Sequence, residues 1–197
     1  MADFATLSDV AAFLQIAITT PTQIAAVNRA LTEASETVRN YCHQLIDLVE
    51  DDEITLDCVG GVRLFLPELP VTEVSEVIED GETLVIDDDY KLGQHGILHR
   101  VGQKWVKGIQ IVTITYSHGY ATIPDDIIAV TVRAASRAYQ SGLRAADADG
   151  VLGVQSKSLG DFSVAYGAEG GAEGVMGASA ARMLLMSEQD ILNRYRI

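Results

Sequence analysis

Lysine and arginine are scarce in this chain: 14 against 28 aspartates and glutamates, a formal charge of −14 over 197 residues. Proteins that grip nucleic acid by its phosphates cluster their cations. No such cluster occurs here, so sequence-specific DNA binding is not expected. The shortage is local. Residues 1–100 carry 19 acids and 5 bases, while residues 101–197 carry nine of each. The stretch Asp47–Asp89 alone holds fifteen acids and one base, Arg63, and so contains the whole net charge. Cysteine is nearly missing. Cys42 and Cys58 fall on different predicted elements without CxxC spacing, which reads as two buried thiols in an intracellular protein, not a disulfide or a metal site. No apolar run approaches the roughly 18 residues of a membrane span, and no basic residue precedes Arg29 to open a secretory signal. These absences describe a soluble protein made in a cytosol, with no membrane partner.

Catalytic signatures are missing too. There is no GxSxG elbow, P-loop or HExxH. His95 and His99 sit on a predicted turn and strand with Gly96 between them, which makes them turn or surface histidines, not a ligand pair. Asp87-Asp88-Asp89 lacks the spacing of a calcium loop and reads as a solvated hairpin end. Asp147-Ala148-Asp149-Gly150 lacks the later ligands of such a loop. One Trp and four Phe leave little aromatic surface for a sugar cleft. No catalytic, cofactor-binding or metal-binding residue is assigned, and no cofactor is expected. A carboxylate pair is not excluded by sequence, so a small monomeric hydrolase stands as the alternative from another class.

What is present is 48% hydrophobic content, enough for one or two packed domains. Thr6 and Asp9 have capping-box spacing before a short helix to Ile18. Thr20, Pro21 and Gln23 open a second helix. Its apolar or small residues recur at Ile24, Val27, Leu31, Ala34, Val38, Tyr41, Leu45 and Leu48, in gaps alternating three and four. That period predicts one seam along a helix of about 36 Å, and so narrow a stripe wants partner helices. The run Glu50-Asp51-Asp52-Glu53 would oppose the helix dipole and is expected in a loop. Strands follow at Ile54–Cys58 and Val62–Leu66 around Gly60-Gly61, and at Val74–Glu79 and Glu82–Ile86 around Asp80-Gly81, both hairpin signals. Tyr90–Leu92, Ile97–Arg100 and Ile109–Tyr116 complete a small antiparallel sheet, with the last strand central. Pro124 opens an alanine-rich third helix that Gly142 is expected to stop. The tandem Gly-Ala-Glu-Gly at 167–174 reads as a flexible linker, and Ser187 and Asp190 cap a last short helix.

The expected fold is α+β: a mainly helical bundle with one long helix, a small antiparallel β-sheet insertion and a C-terminal arm. Its expected parts are an N-terminal helix pair (1–50), a β insertion (51–120), a third bundle helix (121–142), a flexible Gly-rich segment with one short strand (143–178) and a C-terminal docking helix (179–197).

Four stretches, in this order, resemble the head-to-tail connector (adaptor, or head-completion) proteins of long-tailed bacteriophages. They are Ala5-Thr6-Leu7-Ser8-Asp9-Val10-Ala11-Ala12-Phe13-Leu14 with the capped helix after it, then Leu66-Pro67-Glu68-Leu69-Pro70-Val71-Thr72-Glu73-Val74 with the Asp-Gly hairpin and Asp89-Tyr90. The strand-to-helix junction Ile114-Thr115-Tyr116-Ser117-His118-Gly119-Tyr120 through Ile123-Pro124-Asp125-Asp126-Ile127 follows. Gly160-Asp161-Phe162-Ser163-Val164 and Ser187–Arg196 close the series. The Gly-rich 167–178 departs from the family pattern.

The resemblance implies a non-enzymatic virion protein of the neck, synthesised in the host cytoplasm. Its implied partners are other copies of itself in a dodecameric ring, the portal protein, and a downstream neck or tail protein. DNA would pass through without specific binding. Met186, Ile191, Leu192, Arg194, Tyr195 and Arg196 are the implied portal or partner interface. The seam residues Ile24, Val27, Leu31, Val38, Tyr41 and Leu45 are expected to pack subunits together, or else to be filled within a monomer. Glu50, Asp51, Asp52 and Glu53, with Asp87, Asp88 and Asp89, are expected either at an acidic channel surface that repels phosphates or on an outward solubilising face. Another neck or tail-completion protein is the alternative within phage assembly.

Overall fold

The structure, a computed structural model, describes residues 2–147, 156–159, 162–165 and 183–197. Along the chain come α1 (Leu7–Leu14), α2 (Pro21–Cys42), β1 (Val49–Cys58), β2 (Arg63–Phe65), β3 (Val71–Glu79), β4 (Glu82–Thr83) and β5 (Tyr90–Leu92). A single 3₁₀ turn, Gln94–Gly96, leads to β6 (Ile97–Arg100) and β7 (Gly108–His118). Then follow α3 (Asp125–Asp147), the paired β8 (Ser156–Leu159) and β9 (Phe162–Ala165), and α4 (Met186–Leu192). The residues divide into two compact units, Met1–Val38 with Asp126–Leu192, and Arg39–Asp125 with Asn193–Ile197.

In the helical unit the two predicted capping boxes are made. The Asp9 carboxylate accepts the Thr6 amide at 2.8 Å while the Asp9 amide donates to Thr6 Oγ1. The Thr6 hydroxyl and amide hold the Asp9 carboxyl below its ordinary range. Gln23 and Thr20 exchange the same pair of bonds, each at 3.2 Å. Such caps satisfy amides that have no partner in the first turn, worth about 0.5–2 kcal/mol each. Val27, Ala30, Leu31, Ala34 and Val38 of α2 are buried, as are Ile127, Val130, Ala134, Ala135 and Tyr139 of α3. Arg137 of α3 reaches across to the buried Glu188 of α4 through a two-pronged ion pair, and its Nη2 also donates to Met183 O at 2.9 Å.

The second unit is built on two antiparallel sheets, one ordered β1-β7-β3-β4 and the other β2-β6-β5. The inward residues of β7, Val112, Ile114 and Tyr116, join Cys58, Leu64, Leu66, Val77, Leu84, Tyr90, Leu98 and Trp105 in one buried cluster. The Asp80-Gly81 hairpin forms as expected between β3 and β4, with both turn residues at positive φ, the conformation that suits a two-residue hairpin loop. Inside this unit Arg100 and Glu79 form a buried ion pair at 3.1 Å, Arg100 lies over the Trp105 ring, and Glu79 Oε1 accepts the Val106 amide at 2.7 Å.

Several expectations are corrected. The chain is not a mainly helical bundle with a small insertion. Among the described residues, strands of nine to eleven residues with their own core make a sheet unit beside the helices, so the fold is a mixed α+β one. Gly60-Gly61 does not close a hairpin, because β1 pairs with β7 and β2 with β6, in separate sheets. Glu50–Glu53 lies in β1, not in a loop. β1 is an edge strand, where charges are tolerated because the outer side faces water, and a bulge with Asp51 at φ 50 absorbs the irregularity. Helix α2 stops at Cys42, where His43 turns to φ 57, so Leu45 and Leu48 are off the helix. Helix α3 runs past Gly142 to Asp147; one helical glycine costs only about 1 kcal/mol, which its long neighbours override. The tandem Gly-Ala-Glu-Gly at 167–174 and the Asp147–Gly150 loop reading fall wholly or largely outside the described residues.

Candidate assembly surfaces

The acidic block is divided by the sheet. Register places Asp52 and Glu53 beside Tyr116 and Thr115 of β7, while Asp51 donates its amide to Ser117 Oγ at 3.1 Å and accepts the Ser75 hydroxyl at 2.8 Å. Asp52 faces the buried His118, whose Nε2 lies 3.3 Å away. Glu50, Asp51 and Glu53 are exposed. The second run, Asp87–Asp89, forms the turn before β5. Asp89 accepts the Val85 amide at 2.9 Å and approaches Arg100, which bonds Glu79 at the other end of β3. Those two partners hold the Asp89 carboxyl below its ordinary range, the Val85 amide first. The two runs thus lie on different elements, one on the edge strand β1 and the other on the turn before β5.

The seam residues sit mostly inside the chain. Val27, Leu31 and Val38 are fully covered, Ile24 and Tyr41 are half-buried, and Leu45 donates its amide to Glu68 at 2.9 Å. The implied partner-interface residues divide likewise. Met186 is 73% exposed, Ile191 and Tyr195 are half-buried, and Leu192 is fully buried. The final five residues lie on the sheet unit around the end of α2. Tyr41 donates its hydroxyl to Asn193 Oδ1 at 2.8 Å, Gln44 donates to Tyr195 O, and the Ile197 amide donates to Cys42 O at 3.3 Å. Tyr195 meets Tyr120 edge-on, and Arg196 lies over the Tyr41 ring. Gln44, Tyr120 and Arg194–Ile197, with Leu69–Val71 and Leu92–Gly96, line a cavity of about 340 Å³. Sequence reading found the two arginines but not Gln44 or Tyr120, which only the folded path brings to them.

A third surface escaped the sequence reading. On the β1–β7 side of the sheet, Val59 is 87% and Ile109 83% exposed, with Val62, Val101 and Val106 exposed beside the same turns. Lys104 and Lys107 stand in the same loop. The signal was present in the sequence as valines flanking Gly60-Gly61, an apolar pair on a turn where polar residues are the norm.

Both cysteines are buried thiols outside any disulfide. Burial pushes the Cys42 thiol up to about 11, partly offset by the Arg196 charge, and burial likewise raises Tyr116, helped by the charges of Asp52 and Glu68. Among the described residues no group of three or more His, Cys, Asp and Glu is placed to hold a metal ion, and no helix is long and apolar enough to cross a membrane.

No curated protein matches this chain. Among solved structures it is similar to a chain from the neck of an empty GTA particle computed with C6 symmetry, at 16% identity and a TM-score of 0.52, covering 96% of this chain and 87% of that one. It is also similar to a chain from the neck of a native GTA particle computed with C12 symmetry, at 14% identity and 0.43, covering 87% and 82%. The first likeness supports the observed fold. The sequence model of the head completion proteins matches residues 3–132, a span from the capped α1 through both sheets and into α3. With two thirds of its residues so matched, this chain belongs to the head completion protein family.

Proposed function

We propose that this chain is a non-enzymatic structural component of a bacteriophage neck, a head-to-tail adaptor made in the host cytoplasm and mounted beneath the portal. It assembles as a ring, dodecameric as the family resemblance implies, extends the DNA channel and offers a platform to the next neck or tail protein. The observation that carries this reading is the head completion match over residues 3–132. The first neck structure it resembles supports it through the shared fold. The charge of −14 supports a channel that DNA crosses without sticking, since a wall of carboxylates repels phosphates within about 8–10 Å at ordinary salt. Asp87 and Asp88, exposed on their turn, are the part of the acidic block assigned to that wall.

The portal contact is assigned to the exposed residues of the C-terminal segment, Met186, Arg194 and Arg196, with the flanks of Ile191 and Tyr195. Leu192, fully buried, holds the helix in place instead of reaching a partner. The test is reconstitution with purified portal, followed by electron microscopy and mass measurement. The expected result is a ring seated on the portal, retained by wild type and lost in Met186→Asp/Arg194→Glu, with the circular dichroism of the variant unchanged. A wild-type chain that stays monomeric beside the portal would overturn the adaptor reading. An unaffected variant would remove these residues from the interface.

A further inference from the structure

The apolar turns at one end of β1 and the acidic start of the same strand are complementary surfaces on one unit. The turn after β1 and the loop before β7 are locked together. Trp105 donates its amide to Gly61 O, and Arg100 donates its amide to Val62 O, both at 2.9 Å. Gly60 holds φ +85, and a Cβ there would lie 3.2 Å from Lys107 Cβ, so glycine lets the two turns close on each other. This fixed end presents Val59, Val62, Val106 and Ile109 to solvent. Scattered exposed aliphatics need no explanation, whereas a group on two interlocked turns marks an interaction surface.

Charge selects the occupant. Lys104 and Lys107 border the patch, and neither is in an ion pair among the described residues. The nearest β1 acid, Asp57, has its carboxylate engaged by the Gln110 amide at 2.7 Å. Asp80 and Glu82 stand on the β3–β4 hairpin, across β7 from β1, where the Asp80 amide donates to Ile111 O at 2.9 Å. At the opposite end of β1, Glu50 and Glu53 are exposed and unpaired among the described residues, on a strand bonded to β7 alone. Each copy therefore carries a lysine-bordered apolar tip and an acidic open edge.

We propose that these two surfaces meet between copies, the tip of one chain docking beside the acidic start of β1 in the next. The inference rests on the ring reading above and names its subunit contact. Two different patches in contact make a head-to-tail interface, which propagates instead of stopping at a dimer and closes into a ring where the rotation between copies brings the last onto the first. Burial of the aliphatics supplies the attraction, and the lysine–carboxylate pairs set register and direction.

The test is a charge exchange in the full chain, assembled on portal and read by electron microscopy and native mass spectrometry. Lys104→Glu/Lys107→Glu and Glu50→Lys/Glu53→Lys are each expected to lower ring yield at least tenfold. The chain carrying all four changes is expected to recover rings, an outcome that a folding defect does not produce. Ile109→Asp is expected to abolish rings at any salt concentration. Zero-length crosslinking of mixed ¹⁴N and ¹⁵N chains is expected to join Lys104 or Lys107 of one copy to Glu50 or Glu53 of another. Wild-type rings with undiminished yield in the exchanged variants, or with no recovery in the fourfold variant, would overturn this contact while leaving the adaptor reading standing. Absence of wild-type rings on portal would overturn both.

Discussion

Removing the carboxylate of Glu79 tests how the sheet unit is held together. The Glu79 and Arg100 side chains are 5% and 4% exposed and meet at 3.1 Å. Glu79 also takes the Val106 amide at 2.7 Å, while Arg100 donates to Asp89 O at 2.6 Å and covers the Trp105 ring at 5.6 Å. Truncating one partner of such a pair leaves a buried charge uncompensated, at about 3–5 kcal/mol. The orphaned Val106 amide belongs to the same loss and does not add in full. Asp89 stays 3.4 Å from Arg100 Nη1 and is more exposed, so it offsets part of the cost. Glu79→Ala is therefore expected to destabilise by about 3 kcal/mol, a large share of the 5–15 kcal/mol typical of a domain. Trp105 is the chain's single tryptophan and sits beside the pair, so urea unfolding followed by its fluorescence reads this unit directly. Glu79→Met/Arg100→Met, which leaves no buried charge, is expected to lose less than Glu79→Ala alone. A loss below about 1 kcal/mol for Glu79→Ala, or a double variant equal to the sum of its singles, would refute the account.

Gly119→Ala is expected to destabilise well beyond Gly81→Ala in thermal unfolding. Both glycines have positive φ, a cost of about 1–2 kcal/mol for another residue, but a Cβ at Gly119 would lie 2.3 Å from Asp47 O while Gly81 has open space. Cys42, buried and with its thiol pushed up to about 11, is expected to stay unreactive toward Ellman's reagent at pH 8 until urea unfolds the protein; rapid native labelling would contradict its burial. Asp89, whose carboxyl is held below the ordinary 3.8, contributes stability that is present above that value and lost as pH falls through the folded-state value. An acid titration of Asp89→Asn is thus expected to be flatter than wild type below about pH 4. Thr6→Ala, which removes a cap, is expected to cost about 0.5–2 kcal/mol by urea denaturation.

The parts of the fold legible in the sequence are those decided over a few residues. Thr6 with Asp9, Thr20 with Gln23, and Asp80-Gly81 each form the local structure their spacing predicts. Gly60-Gly61 had the same local appearance as the Asp80-Gly81 turn and misled, because its flanking strands found better partners far along the chain. The candidate surfaces were less legible than the elements. The two acidic runs were visible as charge, but whether Asp51 stood in a loop or beside Ser75 and Ser117 depended on β1 joining β7.

By itself the sequence determined where the first three helices begin, where one tight hairpin turns, that the whole net charge sits between Asp47 and Asp89, and which family pattern the chain follows. These depend on backbone donors, φ preferences and charge counts that neighbouring residues settle alone. Tertiary structure decided that the strands form two sheets with a core of their own, that α2 ends at Cys42, and that an acidic edge and an apolar, lysine-bordered tip lie at opposite ends of one strand. Strand pairing exchanges hydrogen bonds across more than fifty residues of chain, as between Glu53 and Thr115, and its energy depends on which side chains the pleat buries together. No local pattern carries that information.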